Sequence, residues 1–436
     1  MKRILFIFFS VLSLALSAQQ VPNVATKEAM IGNAIQVVTI RCLRNPMAFR
    51  LPDRNASLEF TGNYLANSNS VTAAFSNAFI NPRFINEELK LSSYGRLAAD
   101  NRFGMELSYG VSAVFYPDSS WRANRKAFRI QFKQDNFFAA AFTNDVFRLF
   151  FSGNAAYANL DAKLGSSAFY NLRSRSYYVD YLQANNLSNF SVGLGFIQGI
   201  SLVDTRIHEG SLFTASDGSF LDLHWKGSAM LSNASALSSP GFAARMSVGK
   251  MFGRFKRWQV QFKAEDIGFV NWNSETTLIN ADTSLRFTGL QFNDLFNTEW
   301  GTVKPSDSLR RIFTGKTITG SEMAALPWLV QGSLSYSGGN NANYLVVLDA
   351  RYRRLPGMKP LFELQLHQKL FEHLDTRLTG KLGISAGGFG TMNSQIGIGW
   401  EGNKQAIRAE LTALEGLLAP KKLSGSGLFL NYILKL

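Results

Sequence analysis

The sequence predicts an all-β protein: a transmembrane up-and-down antiparallel β-barrel of about 14 strands with short helical insertions. Three observations point there. The chain opens with a secretory leader, it continues as long period-two strands, and the second face of those strands is small and polar. Composition agrees. Charged residues make up 17% of the chain against 46% hydrophobic, whereas charge averages roughly 25% in soluble domains. Disorder needs low hydrophobicity and high net charge, so it is excluded. The single Cys42 excludes a disulfide scaffold. Past the leader, no run approaches the ~20 apolar residues of a spanning helix.

Lys2 and Arg3 precede an apolar run from Ile4 to Leu16, and Ser17-Ala18-Gln19-Gln20 follows. A basic start, an apolar stretch and a small-residue exit describe a signal peptide, with cleavage expected after Ala18. No cysteine follows that point closely enough for a lipid anchor. The expected organisation is a signal peptide over 1–18, an N-terminal extension or plug over 19–56, and an outer-membrane β-barrel over 57–436. The expected localisation is the outer membrane of a Gram-negative cell.

Taken in order, the first expected strands are Leu58-Phe60-Gly62-Tyr64, the long Phe103-to-Phe115 alternation and Phe128-Ile130-Phe132. Val192-Leu194-Phe196, Leu221-Leu223-Trp225 and Phe242-Ala244-Met246-Val248 follow. The C-terminal half is cleaner. In Trp258 to Glu265 apolar and polar residues alternate without exception, and the pattern recurs at Trp328–Tyr336, Tyr344–Ala350, Phe362–Leu366, Leu378–Ile384, Ile396–Trp400 and Ile407–Leu411. Leu428-Leu430-Tyr432-Leu434-Leu436 closes it, as expected of a strand that pairs with an early one; Leu436 stands where many such barrels carry an aromatic residue. Strict alternation marks a strand with one apolar and one polar face. At roughly 30 residues per strand with its loop, the chain after the leader gives about 14 strands, each about ten residues long, as a tilted bilayer-crossing strand requires.

The polar face separates a barrel from a soluble sandwich. Ser191-Val192-Gly193-Leu194-Gly195 and Gln395-Ile396-Gly397-Ile398-Gly399 carry Gly, Ser and Gln where a soluble sheet would carry Lys and Glu. With lipid on the apolar side, every backbone group must pair, and a closed sheet does this. Trp225, Trp258, Trp272, Trp328 and Trp400 fall within strands or at their ends, where an aromatic girdle is expected.

Three regions interrupt the alternation. Residues 19–56 hold Pro22, Pro46 and Pro52. Thr143 to Phe151 reads as a short helix with Thr143 or Asn144 as cap and Asp145 in the first turn. The stretch 290–325 contains a second capped signal, Ser306 to Phe313. Both 19–56 and 290–325 are candidates to plug a lumen.

Chemistry is sparse. His208, His224, His367 and His373 show no metal-ligand spacing, and no nucleophile elbow, Walker loop or dinucleotide loop occurs. Gly387-Gly388-Phe389-Gly390 reads as a turn. No catalytic, cofactor or metal residue is assigned, no cofactor is expected, and the chain is not expected to be an enzyme. The net charge of +14 includes clusters at Arg122–Lys126, Arg254–Arg257 and Arg351–Arg354. For an exported barrel these suit outer-membrane lipid or lipopolysaccharide phosphates, with an anion-attracting lumen as an alternative; nucleic acid is not an expected partner.

Phe79 to Asn86 with Asn101-Arg102-Phe103-Gly104, the block Phe137 to Phe147 with Gly153-Asn154, and Ala264 to Trp272 occur in the order seen in a family of uncharacterised exported barrels from Bacteroidota, a domain of unknown function. The chain resembles that family along nearly all of its expected mature length. Its signature, Asp-x-Gly-Phe-x-x-Trp, falls on Asp266, Gly268, Phe269 and Trp272. The structural reading of that signature is a bulge or bend at Asp266 and Gly268, with Trp272 anchoring a strand end at the interface. The family is distantly similar to long-chain fatty-acid transporter-type barrels. The resemblance implies an outer-membrane barrel that binds or passes small hydrophobic or amphipathic molecules, and it implies no site residue. The alternative is a structural or assembly partner of a secretion or gliding machine, engaging another protein through its loops.

Overall fold

A computed structural model describes residues 51–436, except 53–54, 82, 186, 234–237, 254–255, 289–316, 340–342 and 374–375. The chain forms a 14-strand antiparallel closed barrel with short helical insertions. The wall begins with β1 (Ala56–Ser68), β2 (Asn101–Phe115), β3 (Lys126–Phe142), β5 (Ser167–Ala184) and β6 (Ser188–Thr214). It continues through β8 (Pro240–Phe252), β9 (Trp258–Trp272), β13 (Leu329–Gly338), β14 (Tyr344–Arg353) and β15 (Lys359–His373). It finishes with β16 (Thr376–Gly388), β17 (Met392–Glu401), β18 (Gln405–Thr412) and β19 (Ser426–Lys435). β19 pairs with β1 over Ala66↔Ser426 to Ser57↔Lys435, so the ring has no open edge there. Strand patterning explains the wall: outward positions such as Leu194, Phe242, Leu382 and Ile398 are exposed apolar residues, as lipid contact demands.

The two rims differ. On one, strands are joined by short connections such as 185–187, 253–257 and 402–404; in outer-membrane barrels that rim faces the periplasm. The other carries the long connections. There β6 runs 27 residues, and its far half pairs with β4 (Leu160–Lys163) and β7 (Leu221–Asn233). β7 pairs in turn with β10 (Thr277–Phe287), which meets β11 (Thr317–Thr319), while β12 (Glu322–Ala325) continues against β9. One sector of the wall therefore stands taller than the rest.

Helices α1 (Ala73–Ile80), α2 (Glu87–Tyr94) and α4 (Asn144–Ser152) lie at the long-loop rim; α3 (Ser119–Ala123) sits in a short-rim turn and α5 (Leu414–Leu418) precedes β19. The helix expected near Thr143 is α4, and its cap is Thr143, whose side chain accepts from the Val146 amide. Phe75 of α1 and Phe147 of α4 bury against Phe103 and Phe142. These are outward positions of β2 and β3, on the opposite parity from the inward Gly104 and Ala141, so the helices clasp the outer wall and do not fill the lumen. Of the extension over 19–56, the described Leu51 packs on Val114, Ala127 and Leu182 at the short-turn rim. The helical signal at Ser306–Phe313 lies outside the described residues.

Candidate functional site

Alternation decides what the lumen contains. Each inward position follows from its strand's parity: Arg129, Gln131, Lys133, Asp135 and Phe137 on β3; Ser176, Tyr178 and Asp180 on β5; Arg351 and Arg353 on β14. One irregularity re-aims this pattern. Between β8 and β9 the register shifts, so that Glu265 and Asp266 together oppose Arg245, and Asp266 adopts a left-handed backbone with φ 57°. This is a β-bulge, which sends two successive residues toward one face. The bulge expected at the Asp266–Gly268 signature is present, and it delivers a carboxylate to the middle of the barrel.

That carboxylate is the centre of a bonded layer. Asp266 Oδ1 accepts from the Tyr178 hydroxyl at 3.0 Å, and Oδ2 accepts from Arg353 Nη1 at 2.9 Å. Lys133 Nζ lies 4.0 Å from Asp266 and 3.1 Å from Asp135, which accepts from Ser108 at 2.5 Å. Arg353, on the far side of the ring from β3, lies over the Phe137 ring at 4.6 Å. Beside this group, Asp180 accepts from Arg129 at 2.5 Å and from Arg245 at 2.6 and 2.5 Å. Arg245 also bonds Gln131 and stacks on Tyr178 at 4.0 Å. Tyr178 fits because Gly195 faces it: a Cβ there would sit 2.5 Å from its ring. Charges this buried persist only when paired, and here each has a partner across or along the wall.

Toward the long-loop rim the lumen turns apolar. Phe137, Tyr170, Leu172, Ile197, Val270 and Trp272 form a buried cluster with Leu326, Leu355 and Phe389. The last three come from connections, not strands. Phe389 belongs to the glycine-rich turn between β16 and β17, and it is folded into the barrel. Arg102 holds that turn, donating to the carbonyls of Gly388 at 3.1 Å and Gly390 at 2.7 Å. Gly104 leaves room for the ring; a Cβ there would lie 2.1 Å from it. The three loop residues thus stopper a lumen whose strands are themselves apolar at that level.

Beside the stopper is a cavity of about 170 Å³ against β1, β2 and the C-terminal strands. Arg351, Arg353, Lys381, Glu106, Glu363 and Glu410 line it, with Leu329, Met358, Leu361 and Phe429 on its apolar side. Lys381 is bonded to Glu410 at 2.7 Å. Glu363 accepts from Gln365 at 3.1 Å and Gln395 at 2.8 Å.

Several sequence expectations change. Trp272 is 1% exposed and faces inward, so it is a lumen packing residue and not an interface anchor. The bulge at Asp266 shifts parity by one residue, which is the physical reason. Trp225 is also buried, on the tall sector, while Trp258 is exposed beside Phe252 and Tyr336 as a girdle residue should be. The basic cluster Arg351–Arg354 is divided by strand alternation: Arg351 and Arg353 enter the lumen, and Tyr352 points outward against Trp328. It is therefore no single lipid-facing patch. His367 and His373 both belong to β15, and His224 contacts Ser284 at 3.1 Å. Among the described residues no group of three or more His, Cys, Asp or Glu could hold a metal. Sequence reasoning missed the cavity and the stopper, although the glycines flanking Phe389 were the visible signal for the second.

No family model matches the chain, and no curated protein does. Solved structures similar to it include the toluene transporter TbuX of Ralstonia pickettii, at 8% identity and a TM-score of 0.43, covering 88% of this chain and 90% of that one. The toluene transporter TodX of Pseudomonas putida is similar at 8% identity and a TM-score of 0.40, covering 88% and 90%. The translocator domain of the autotransporter NalP from Neisseria meningitidis is similar at 7% identity and 0.35, covering 88% of each chain. At these identities and TM-scores the likeness carries no argument about what this chain does.

Proposed function

We propose that the protein binds or passes small hydrophobic or amphipathic molecules across the outer membrane. One observation carries this reading: the lumen at the long-loop rim is lined by an apolar cluster and stoppered by Leu326, Leu355 and Phe389. An open aqueous channel would be polar at that level. An apolar lining attracts apolar solutes once the loop residues move aside, and the bonded layer around Asp266 keeps an open column of water from crossing.

The test is passage through proteoliposomes containing the purified barrel. Toluene is expected to exchange faster than through empty vesicles, and glucose is not. Glucose leakage, or toluene exchange unchanged by the protein, would sink the proposal. A second reading, a barrel that serves as a docking partner, is favoured by the rim helices. Leu91 and Phe150 on these helices, and Phe84 in the connection between α1 and α2, are exposed at 63%, 73% and 88%. Retention of a stoichiometric protein partner after mild extraction would support it.

A further inference from the structure

Two charged groups in the cavity beside the stopper are poorly matched by the protein itself. Arg351 Nε is buried with no hydrogen-bond partner, and the nearest carboxylate, Glu363, lies 3.8 Å from its Nη2. Glu363 is already held by two glutamine amides. On the facing wall, the one cation among the described residues within 4.0 Å of Glu106 is Arg353, whose Nη2 lies 3.8 Å away. Arg353 spends its Nη1 on Asp266 and on the Pro327 carbonyl, at 2.9 and 2.8 Å. A cation on β14 and an anion on β2 therefore look into the same space from opposite sides. The remaining ionic group there is satisfied within the protein, with Glu410 held by Lys381 at 2.7 Å and also by Arg408.

Arg351 and Glu106 each keep part of their side chain open to this space, so a ligand that forms charge-assisted hydrogen bonds with both would gain more than one that bonds either. A plain anion on Arg351 leaves Glu106 unmatched, and a plain cation on Glu106 leaves Arg351 unmatched. The apolar side of the cavity, with Leu329, Leu361 and Phe389, suits a short hydrocarbon body. At 170 Å³, and with a water's share of liquid taken as roughly 30 Å³, the space fits a molecule of amino-acid size.

We propose that this cavity is a binding site for a small zwitterion with an apolar body. Its acidic group meets Arg351, its ammonium meets Glu106, and its hydrocarbon lies against Leu329 and Leu361. The inference rests on the proposed passage of small amphipathic molecules and names their class.

The test is calorimetric titration of the folded barrel in detergent with four probes: L-leucine, 3-methylbutylamine, 4-methylpentanoate and toluene. Leucine is expected to bind saturably and about tenfold or more tighter than either singly charged probe. Arg351→Gln is expected to erase its advantage over the amine, and Glu106→Gln its advantage over the acid. Heat-shifted gel mobility checks that each variant is folded, and Arg351→Lys, which keeps the charge and loses the planar fork, reads the same contact if Arg351→Gln does not fold. Leucine binding no better than 4-methylpentanoate would overturn the zwitterion assignment. Toluene binding without leucine binding would overturn it and leave the apolar passage standing; binding of neither would remove both.

Discussion

The lumen has two unlike sides. Against β3, β5, β8 and β9 it is filled: Asp180 and Asp266 each hold two or more donors within 3.0 Å, and Tyr178 and Trp272 are almost wholly buried. Against β14 to β18 the inward side chains leave a cavity, and Arg351 has no hydrogen bond at its Nε. Both sides are built by the same alternation from a similar mixture of Arg, Lys, Asp and Glu. The difference is stoichiometry and reach. The bulge at Asp266 adds one carboxylate on the filled side, at a height where Arg353 and Lys133 converge. On the other side the charges pair locally, Lys381 with Glu410 and Arg377 with Glu401 at 2.6 Å, so little spans the gap. A filled ionic layer supports the barrel; an unfilled one is available to a ligand.

Breaking the filled side should have the largest effect. Asp266→Ala leaves Arg353, Lys133 and the Tyr178 hydroxyl facing one another without the anion they share. Removing one member of a buried ionic group costs about 3–5 kcal/mol. The midpoint of the heat-induced gel shift should fall sharply, whereas Asp266→Asn, which keeps two hydrogen-bonding atoms, should fall less. An unchanged midpoint in Asp266→Ala would show that the layer is not what holds the two walls together.

Next in size is the stopper between the two sides. Gly104→Ala places a methyl within the Phe389 ring and leaves every polar contact of the layer in place. Phe389 must leave its pocket, at a cost of about 1–3 kcal/mol by overpacking, and toluene exchange in proteoliposomes should rise. Phe389→Ala should raise it too. If neither variant alters exchange, apolar solutes do not use this route. The cavity side should respond least in stability. Arg351→Gln removes a cation that no carboxylate holds closely, so the gel-shift midpoint should move by less than ~1 kcal/mol equivalent, in contrast to Asp266→Ala. A loss as large as that of Asp266→Ala would mean that the two sides are equally bonded.

Much of the wall was readable from period-two patterning, because lipid outside and a packed interior inside impose opposite demands on neighbouring residues. Strand count, the α4 cap at Thr143 and the bulge at Asp266 all belong to local signals. The lumen was not readable in the same way. That Arg353 meets Asp266 and Glu106 depends on which strands face each other across the ring, and no spacing along the chain encodes that. Trp272 shows the limit: one inserted residue at the bulge reverses every later side chain on β9, so an interfacial position becomes an interior one. Phe389 shows another, since a glycine-rich turn says that the chain reverses but not that it folds inward.

The smallest effect separates the rim from the lumen altogether. Tyr157, in the connection after α4, is buried and donates its hydroxyl to Asp145 Oδ1 at 2.9 Å, while Asp145 Oδ2 accepts from the Lys163 amide at 2.8 Å. Burial, and then that bond, push the Tyr157 hydroxyl up to about 12, whereas an unfolded tyrosine titrates near ~10. A group whose folded value is raised contributes its stability fully below the unfolded value and loses it as pH climbs toward the folded one. The tie between α4 and β4 should therefore be intact to about pH 10 and weaken between ~10 and ~12. Hydrogen exchange at Lys163 should report this as faster exchange over that range, beyond the intrinsic rise with pH, with the gel-shift midpoint little changed. Tyr157→Phe should show the faster exchange at every pH and lose the step. A step of the same size at inward amides of β3 would mean that the rim and the ionic layer open together.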